Sequence, residues 1–165
     1  MKLSLVYARW FLIAIPLSLS GCVNMVDQAE PEAPPKLLAA IERGYCYGNC
    51  PIFSLKIYFD GTAIFWGEQH TAEVGGKTFS LTDEQLSRIR SEFLRKGFLF
   101  LSNRCCECRD VTDAPSTLIT YRGNGPFKQI KHYHGCSNWA SRNLANLERS
   151  ILELTGISAW IGEDG

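Results

Sequence analysis

The sequence predicts a two-layer α+β domain in which two helices cover one face of an antiparallel sheet. Apolar and polar residues alternate on both sides of Asp60-Gly61, which is the pattern of a β-hairpin. A capped helix begins after Thr82, and two more strands and a closing helix follow it. The predicted order of elements is therefore ββ(β)αββα.

The first hairpin covers FSLKIYFDGTAIFWGE, residues 53–68. A two-residue type I′ turn at Asp60-Gly61 needs a positive φ at both residues and fixes the register of the strands. The predicted pairs are Phe59 with Thr62, Ile57 with Ile64, and Leu55 with Trp66. Because all three pairs fall on one face, we expect that face to lie in the core. A third strand is predicted at KTFSL, residues 77–81.

Two helices have recognisable starts and stops. Thr82 is the expected N-cap of the first helix, Gln85 completes a capping box, and Gly97 is the expected C-cap. The second helix is predicted at 137–154 and stops at Gly156. The apolar stripes are Leu86, Ile89 and Phe93 on the first helix and Leu144, Leu147, Ile151 and Leu154 on the second.

The remaining segments are assigned from local pattern. Two strands are expected around the turn at residues 123–125, and FLFL, residues 98–101, is expected to pack beneath the first helix. Trp160 is expected to fold back onto the domain. LLAAIERG, residues 37–44, fits either a short helix or a strand.

The N-terminal residues have the features of an exported lipoprotein. Lys2 and Arg9 precede an apolar stretch that is short for a bilayer span, and LSGC, residues 19–22, resembles the lipobox of bacterial lipoproteins. That resemblance implies a lipidated Cys22, and Val23 after it implies the outer membrane, facing the periplasm. We expect a signal peptide at 1–21, the lipidated cysteine and a flexible tether at 22–36, and a single domain at 37–165.

The charge balance excludes one class of partner. Of the 17 Lys and Arg residues, Lys2 and Arg9 leave with the signal peptide, so 15 face 17 acidic residues and the formal charge is −2. This balance lacks the basic footprint of a nucleic-acid binder. The expected partners are the membrane, through the lipid anchor, and an envelope protein or ligand.

Six cysteines remain after Cys22, and an even number in an exported chain favours disulfides because the periplasm is oxidising. The candidates are Cys46, Cys50, Cys105, Cys106, Cys108 and Cys136. Cys46 and Cys50 can bond to each other across Gly48 or each to a distant cysteine, and the sequence does not choose between these pairings. Cys136 is a candidate partner of one of the three clustered cysteines.

Metal binding is the alternative interpretation. CYGNCP, residues 46–51, resembles the copper motif of the factors that deliver copper to cytochrome oxidase, where a helix follows the motif; here a hairpin follows it. Cys46 and Cys50 with His132 and His134 would offer thiolate and imidazole ligands for Cu(I), and His70 is also available. Zinc held by the cysteines of residues 105–108 with His134 or Cys136 is a further alternative. The favoured interpretation requires no cofactor.

The sequence contains none of the common catalytic signatures. It lacks G-x-S-x-G, H-E-x-x-H and a Walker loop, and the C-x-x-x-C spacing before a strand differs from the C-x-x-C at a helix N-terminus that redox enzymes favour. In HYHGC, residues 132–136, we expect two solvent-facing or rim histidines that flank a buried Tyr133. We therefore expect no catalytic residues and no enzymatic activity.

Three blocks resemble a bacterial lipoprotein domain of unknown function, the domain of unknown function 6438 family. They are RGYCYGNCPIFSLKIYFDGTAIFWG, TDAPSTLITYRGNGPFKQIKHYHGC, and LANLERSILE with the later Trp160. The resemblance implies a compact α+β envelope domain, often lipid-anchored, without an established activity. It implies that Cys46, Gly48, Cys50 and Pro51 act as a matched set, and it favours a strand for residues 41–46. The expected function is a disulfide-stapled binding or structural module.

Overall fold

Six antiparallel strands form one sheet in the computed structural model, which describes residues 35–103, 113–123, 125 and 127–162. The strands are β1 Leu37–Arg43, β2 Ile52–Tyr58, β3 Thr62–Gln69, β4 Gly75–Ser80, β5 Ser116–Tyr121 and β6 Lys128–Tyr133. The helices are α1 Asp83–Arg95, α2 Trp139–Thr155 and the one-turn α3 Ser158–Ile161, with a 3₁₀ turn at Phe98–Phe100. The predicted α+β fold class is confirmed.

The order across the sheet is β4-β3-β2-β1-β5-β6, so β1 is a central strand. Residues 38–41 of β1 are all buried, as expected for a strand with neighbours on both sides. Local pattern alone left this segment open between helix and strand. The strand that the family resemblance favours at residues 41–46 is confirmed for 41–43, and residues 44–46 lie in the connection after β1.

The predicted register of the first hairpin is wrong by one residue. Leu55 lies opposite Phe65 and Ile57 opposite Ala63. The N–H of Gly61 donates to the Tyr58 carbonyl at 3.2 Å, and Gly61 has a φ of 89°. A type I′ turn would need a positive φ at Asp60 as well. The observed connection is instead a three-residue loop, residues 59–61, that ends in the left-handed Gly61.

This shift turns two predicted core residues to the other face of the sheet, because neighbouring residues of a strand point in opposite directions. Phe65 and Ala63 are fully buried instead of Trp66 and Ile64. Trp66 is 55% exposed.

The helices lie on one face of the sheet. Phe93 of α1 stacks on Tyr121 with ring centroids 4.1 Å apart, and Trp160 of α3 contacts Phe65 at 5.5 Å. Both sheet residues belong to the face that carries Ile41. The opposite face carries exposed side chains, including Lys56, Trp66 and Lys131.

The predicted helix signals are present. Thr82 and Gln85 form the capping box of α1, and Gly97 and Gly156 follow α1 and α2 with left-handed backbones. Trp160 folds back as expected, since α3 accepts hydrogen bonds from the β3–β4 connection: the Glu73 N–H donates to the Trp160 carbonyl at 2.9 Å. This contact fixes α3 over one end of the sheet.

Some predicted features lie outside the described residues. They include the signal segment, the lipidation site at Cys22, most of the tether, and the cysteines Cys105, Cys106 and Cys108. Within the part of the chain that the structure describes, every helix is too short or too polar to cross a membrane.

Candidate functional site

Polar side chains from three neighbouring strands form a row on the helix-covered face. Arg43 of β1 lies opposite Thr117 of β5, which lies opposite His132 of β6. This row continues the alternation that points Ile41 and Ile130 toward the helices. The sheet order therefore places a guanidinium and an imidazole beneath α2.

Glu148 of α2 meets this row from above. Its Oε1 lies 2.5 Å from Nδ1 of His132, and its Oε2 lies 3.2 Å from Nη2 of Arg43. Glu148 and His132 are each 1% exposed, and the Arg43 side chain is 10% exposed. One buried carboxylate thus links α2 to two separate strands.

His134, just beyond β6, approaches the same carboxylate from the cavity side. Its Nε2 lies 3.3 Å from Oε2 of Glu148 and 2.7 Å from Oγ1 of Thr117. The His134 side chain is 22% exposed. His134 is therefore the histidine of the pair that solvent can reach.

The expected placement of HYHGC is correct for His134 and wrong for His132. His132 is buried, whereas Tyr133 is only half-buried and its hydroxyl accepts a hydrogen bond from the Ala114 N–H. The reason is strand alternation: His132 shares the inward face with Ile130.

The hydrogen bonds of His132 involve both of its ring nitrogens. Oγ of Ser141 lies 2.7 Å from the Cys136 carbonyl and 2.9 Å from Nε2 of His132. A carbonyl only accepts, so the hydroxyl proton of Ser141 points at Cys136 and Nε2 is the donor in the second contact. Nδ1 donates to the Glu148 carboxylate. His132 therefore joins α2 to β6 as a donor from both sides of its ring.

The pKa of Glu148 is low in spite of its burial. Burial by itself raises the pKa of this carboxyl, but hydrogen bonds from His132 and His134 and the charges of these histidines lower it from 4.5 to about 2. The carboxylate is therefore ionised at neutral pH.

His132, Glu148 and Ser141 have the connectivity of a catalytic triad but not its access. All three residues are buried, and the Ser141 hydroxyl is 3% exposed and bonded to the Cys136 carbonyl. An attacking nucleophile must reach its substrate. The geometry is that of a buried ion pair that holds α2 on the sheet.

A polar cavity of about 220 Å³ opens beside the cluster, between the ends of β1 and β6 and the helices α2 and α3. Arg43, His134 and Glu148 contribute to its lining from the buried side. Arg149, Glu153 and Ser158 are exposed residues of its rim. The cavity is thus a place where a small polar ligand can reach part of the ionic cluster.

Three potential metal ligands also meet here. A ring nitrogen of His132, a ring nitrogen of His134 and a carboxylate oxygen of Glu148 lie within 4.8 Å of one another. However, Nη2 of Arg43 lies 3.2 Å from the Glu148 carboxylate, and its positive charge opposes the entry of a cation.

The cysteines predicted as a matched set lie in the β1–β2 connection. Cys46 and Cys50 form a disulfide with Cα atoms 5.9 Å apart, which leaves no thiolate there for copper. Cys136 is also disulfide-bonded. The candidate partners Cys105, Cys106 and Cys108, and with them the zinc alternative, lie outside the described residues.

The comparison with known families adds one finding. A family described as "Domain of unknown function (DUF6438)" matches residues 38–155. The chain belongs to the DUF6438 family. This match covers β2 to β6, all of β1 except Leu37, and all of α2, so the ionic cluster lies within the DUF6438 domain, whereas α3 follows the matched range. No curated protein matches the chain.

Sequence reasoning missed Arg43, Ser141 and Glu148 as members of the site. A signal for Glu148 was present, because it lies between Leu144 and Ile151 on the apolar stripe of the DUF6438 domain's last long helix. A charged residue in such a stripe needs a buried partner. The sequence did not identify that partner.

We predict that Glu148→Gln weakens the domain and removes part of its acid sensitivity. At neutral pH, loss of the carboxylate leaves the buried guanidinium of Arg43 without its ionic partner and should lower the unfolding free energy by about 3–5 kcal/mol. In the wild type, the depressed pKa of Glu148 stabilises the fold above pH 4.5, and this contribution of about 3 kcal/mol is lost as the pH falls toward 2.

Urea unfolding at a series of pH values measures both effects, with the exposed Glu153→Gln on the same helix as control. Glu153→Gln should follow the wild type. A Glu148→Gln variant with wild-type stability, or with an unchanged loss of stability in acid, contradicts the assignment.

Proposed function

We propose that this DUF6438 domain is a non-catalytic ligand-binding module of the bacterial cell envelope. Lipid on Cys22 holds it at the outer membrane, the tether of residues 22–36 spaces it from the bilayer, and the domain faces the periplasm. Its ligand site is the cavity beside Glu148.

One observation carries the binding role: the cavity of about 220 Å³ reaches a charged cluster that is otherwise buried. Charged side chains at the base of a concave site provide orientation and specificity for a ligand. A cluster that served only to attach α2 to the sheet would not need to border a solvent-accessible cavity.

The signal segment and the cysteine chemistry support the envelope location. Several acyl chains at one cysteine provide stable anchoring, since each buried methylene contributes roughly 0.8 kcal/mol. The Cys46–Cys50 disulfide suits an oxidising compartment. The inaccessible Ser141 supports a role without catalysis.

Metal binding is the second candidate, and it is favoured by the His132, His134 and Glu148 constellation. Imidazole and carboxylate ligands suit zinc, and imidazole also suits copper. This candidate differs from the copper site expected from the sequence, because Cys46 and Cys50 are bonded to each other. Entry of the metal would have to displace the proton on Nδ1 of His132 and overcome the charge of Arg43.

We predict that filling the cavity abolishes ligand binding while the fold remains. Ala145 lines the cavity from α2, and its neighbour Asn146 is exposed. Native mass spectrometry of the lipoprotein extracted from its own envelope should show a small non-covalent adduct on the wild type and on Asn146→Phe. Ala145→Phe should lack the adduct and keep the wild-type circular dichroism spectrum. An adduct that persists on Ala145→Phe, or its absence from all three proteins, contradicts the proposal.

We predict that Cys22→Ala removes the lipid and releases the protein from the membrane. Metabolic labelling with an alkyne-bearing palmitate, followed by membrane fractionation, measures both effects. Cys50→Ser is the matched control, because it removes a cysteine from the folded domain and should keep the label. Label that survives Cys22→Ala, or a variant that stays in the membrane fraction, contradicts the anchoring role of Cys22.

A further inference from the structure

We infer that the cavity binds an oxyanion, a carboxylate or phosphate group of a small ligand, through Arg43 with His134 and Arg149. This inference rests on the proposed function, since it names the ligand class of the same cavity. Three independent features of the site support it.

The first feature is a buried positive charge whose counter-ion is shared. Arg43 is always charged, and its ionic partner in the described residues, the Glu148 carboxylate, also contacts His132 and His134. A buried charge is costly unless a counter-charge is available to it. Arg149 and Glu153 on the rim are exposed and of opposite sign, so together they add no net negative charge for Arg43.

The second feature is an unused donor on Arg43. Its Nε is buried and is the one buried side-chain nitrogen or oxygen atom in the described residues without a hydrogen-bond partner. Most buried polar groups in proteins are hydrogen-bonded, because an unpaired one costs free energy. Arg43 lines the cavity and Nε itself is shielded from solvent, so a small turn of the guanidinium toward an anionic oxygen bound there would supply the missing acceptor.

The third feature is the size and chemistry of the cavity. At about 220 Å³ it is smaller than sites for drug-sized ligands, which begin at roughly 300 Å³. It therefore suits the charged end of a ligand or a small anion. Arg149 and the Ser158 hydroxyl at the rim are suited to oxyanion contacts.

The same geometry disfavours a cation as ligand. The Glu148 carboxylate already meets Arg43, His132 and His134, so its charge is satisfied within the protein. An anion requires no rearrangement of these contacts, whereas a metal ion must break them.

The test is a ¹⁵N NMR titration of the full-length lipoprotein in detergent micelles. Inorganic phosphate and acetate are the two probes, each compared with sodium chloride at equal ionic strength. At least one probe should cause saturable shifts of the Arg43 Nε–H signal and of the amide signals of Arg149 and of Gly162, which also lines the cavity. The probe that binds more tightly separates a phosphate-type from a carboxylate-type ligand. Shifts that follow ionic strength alone, or that map elsewhere, overturn the inference.

Three variants test which residues bind the anion. Arg43→Lys keeps the positive charge but loses Nε and the planar guanidinium group, and it should weaken anion binding by at least about tenfold. Arg149→Gln should weaken binding by a smaller factor. Arg142→Gln, an exposed arginine on the same helix that does not line the cavity, should bind as the wild type does. If Arg43→Lys unfolds, the wild-type Nε–H shift still decides the question.

A parallel titration with zinc chloride separates failure of this inference from failure of the proposed function. One outcome is stoichiometric zinc binding that is lost in Glu148→Gln and is not reduced by phosphate or acetate. Another is a native adduct that Ala145→Phe removes while neither anion shifts the NMR signals. Either outcome keeps the cavity as a binding site but overturns the oxyanion assignment. Absence of binding by every probe and of the adduct overturns both proposals.

Discussion

The buried carboxylate of Glu148 is the constraint on which the rest of the structure depends. An ionised carboxylate in the apolar stripe of α2 costs several kcal/mol unless cations pair with it closely. Arg43 supplies a permanent cation and His132 a ring N–H donor, from strands that are separated in the sheet by β5. The pairing therefore fixes α2 across three strands at once, and it requires the register in which Arg43, Thr117 and His132 are neighbours.

The cavity follows from the same constraint. Because the Glu148 carboxylate is shared by Arg43, His132 and His134, Nε of Arg43 keeps no hydrogen-bond partner. His134 and α3 then complete a small polar cavity beside this charge. The cluster thus attaches α2 to the sheet of the DUF6438 domain and gives the proposed ligand site its polar wall.

The sequence predicts most elements of this fold but not their register or the site. Capping residues and apolar stripes identify α1 and α2, because these signals are local. The hairpin register depends on whether Asp60 adopts a positive φ, which the Asp-Gly pair does not determine. The site depends on Arg43 meeting Glu148 across 105 residues of sequence, and only the insertion of β5 beside β1 brings them together.

The two hydrogen bonds of the His132 ring are the contacts through which this cluster is tested most directly. Long-range ¹H–¹⁵N correlation spectra of the histidine side chains at neutral pH report whether each ring nitrogen carries a proton. We expect a proton on Nδ1, donated to Glu148, and a proton on Nε2, donated to Ser141. A spectrum in which either nitrogen of His132 lacks its proton would contradict this arrangement, because the link from Glu148 through His132 to Ser141 would then not be formed as described.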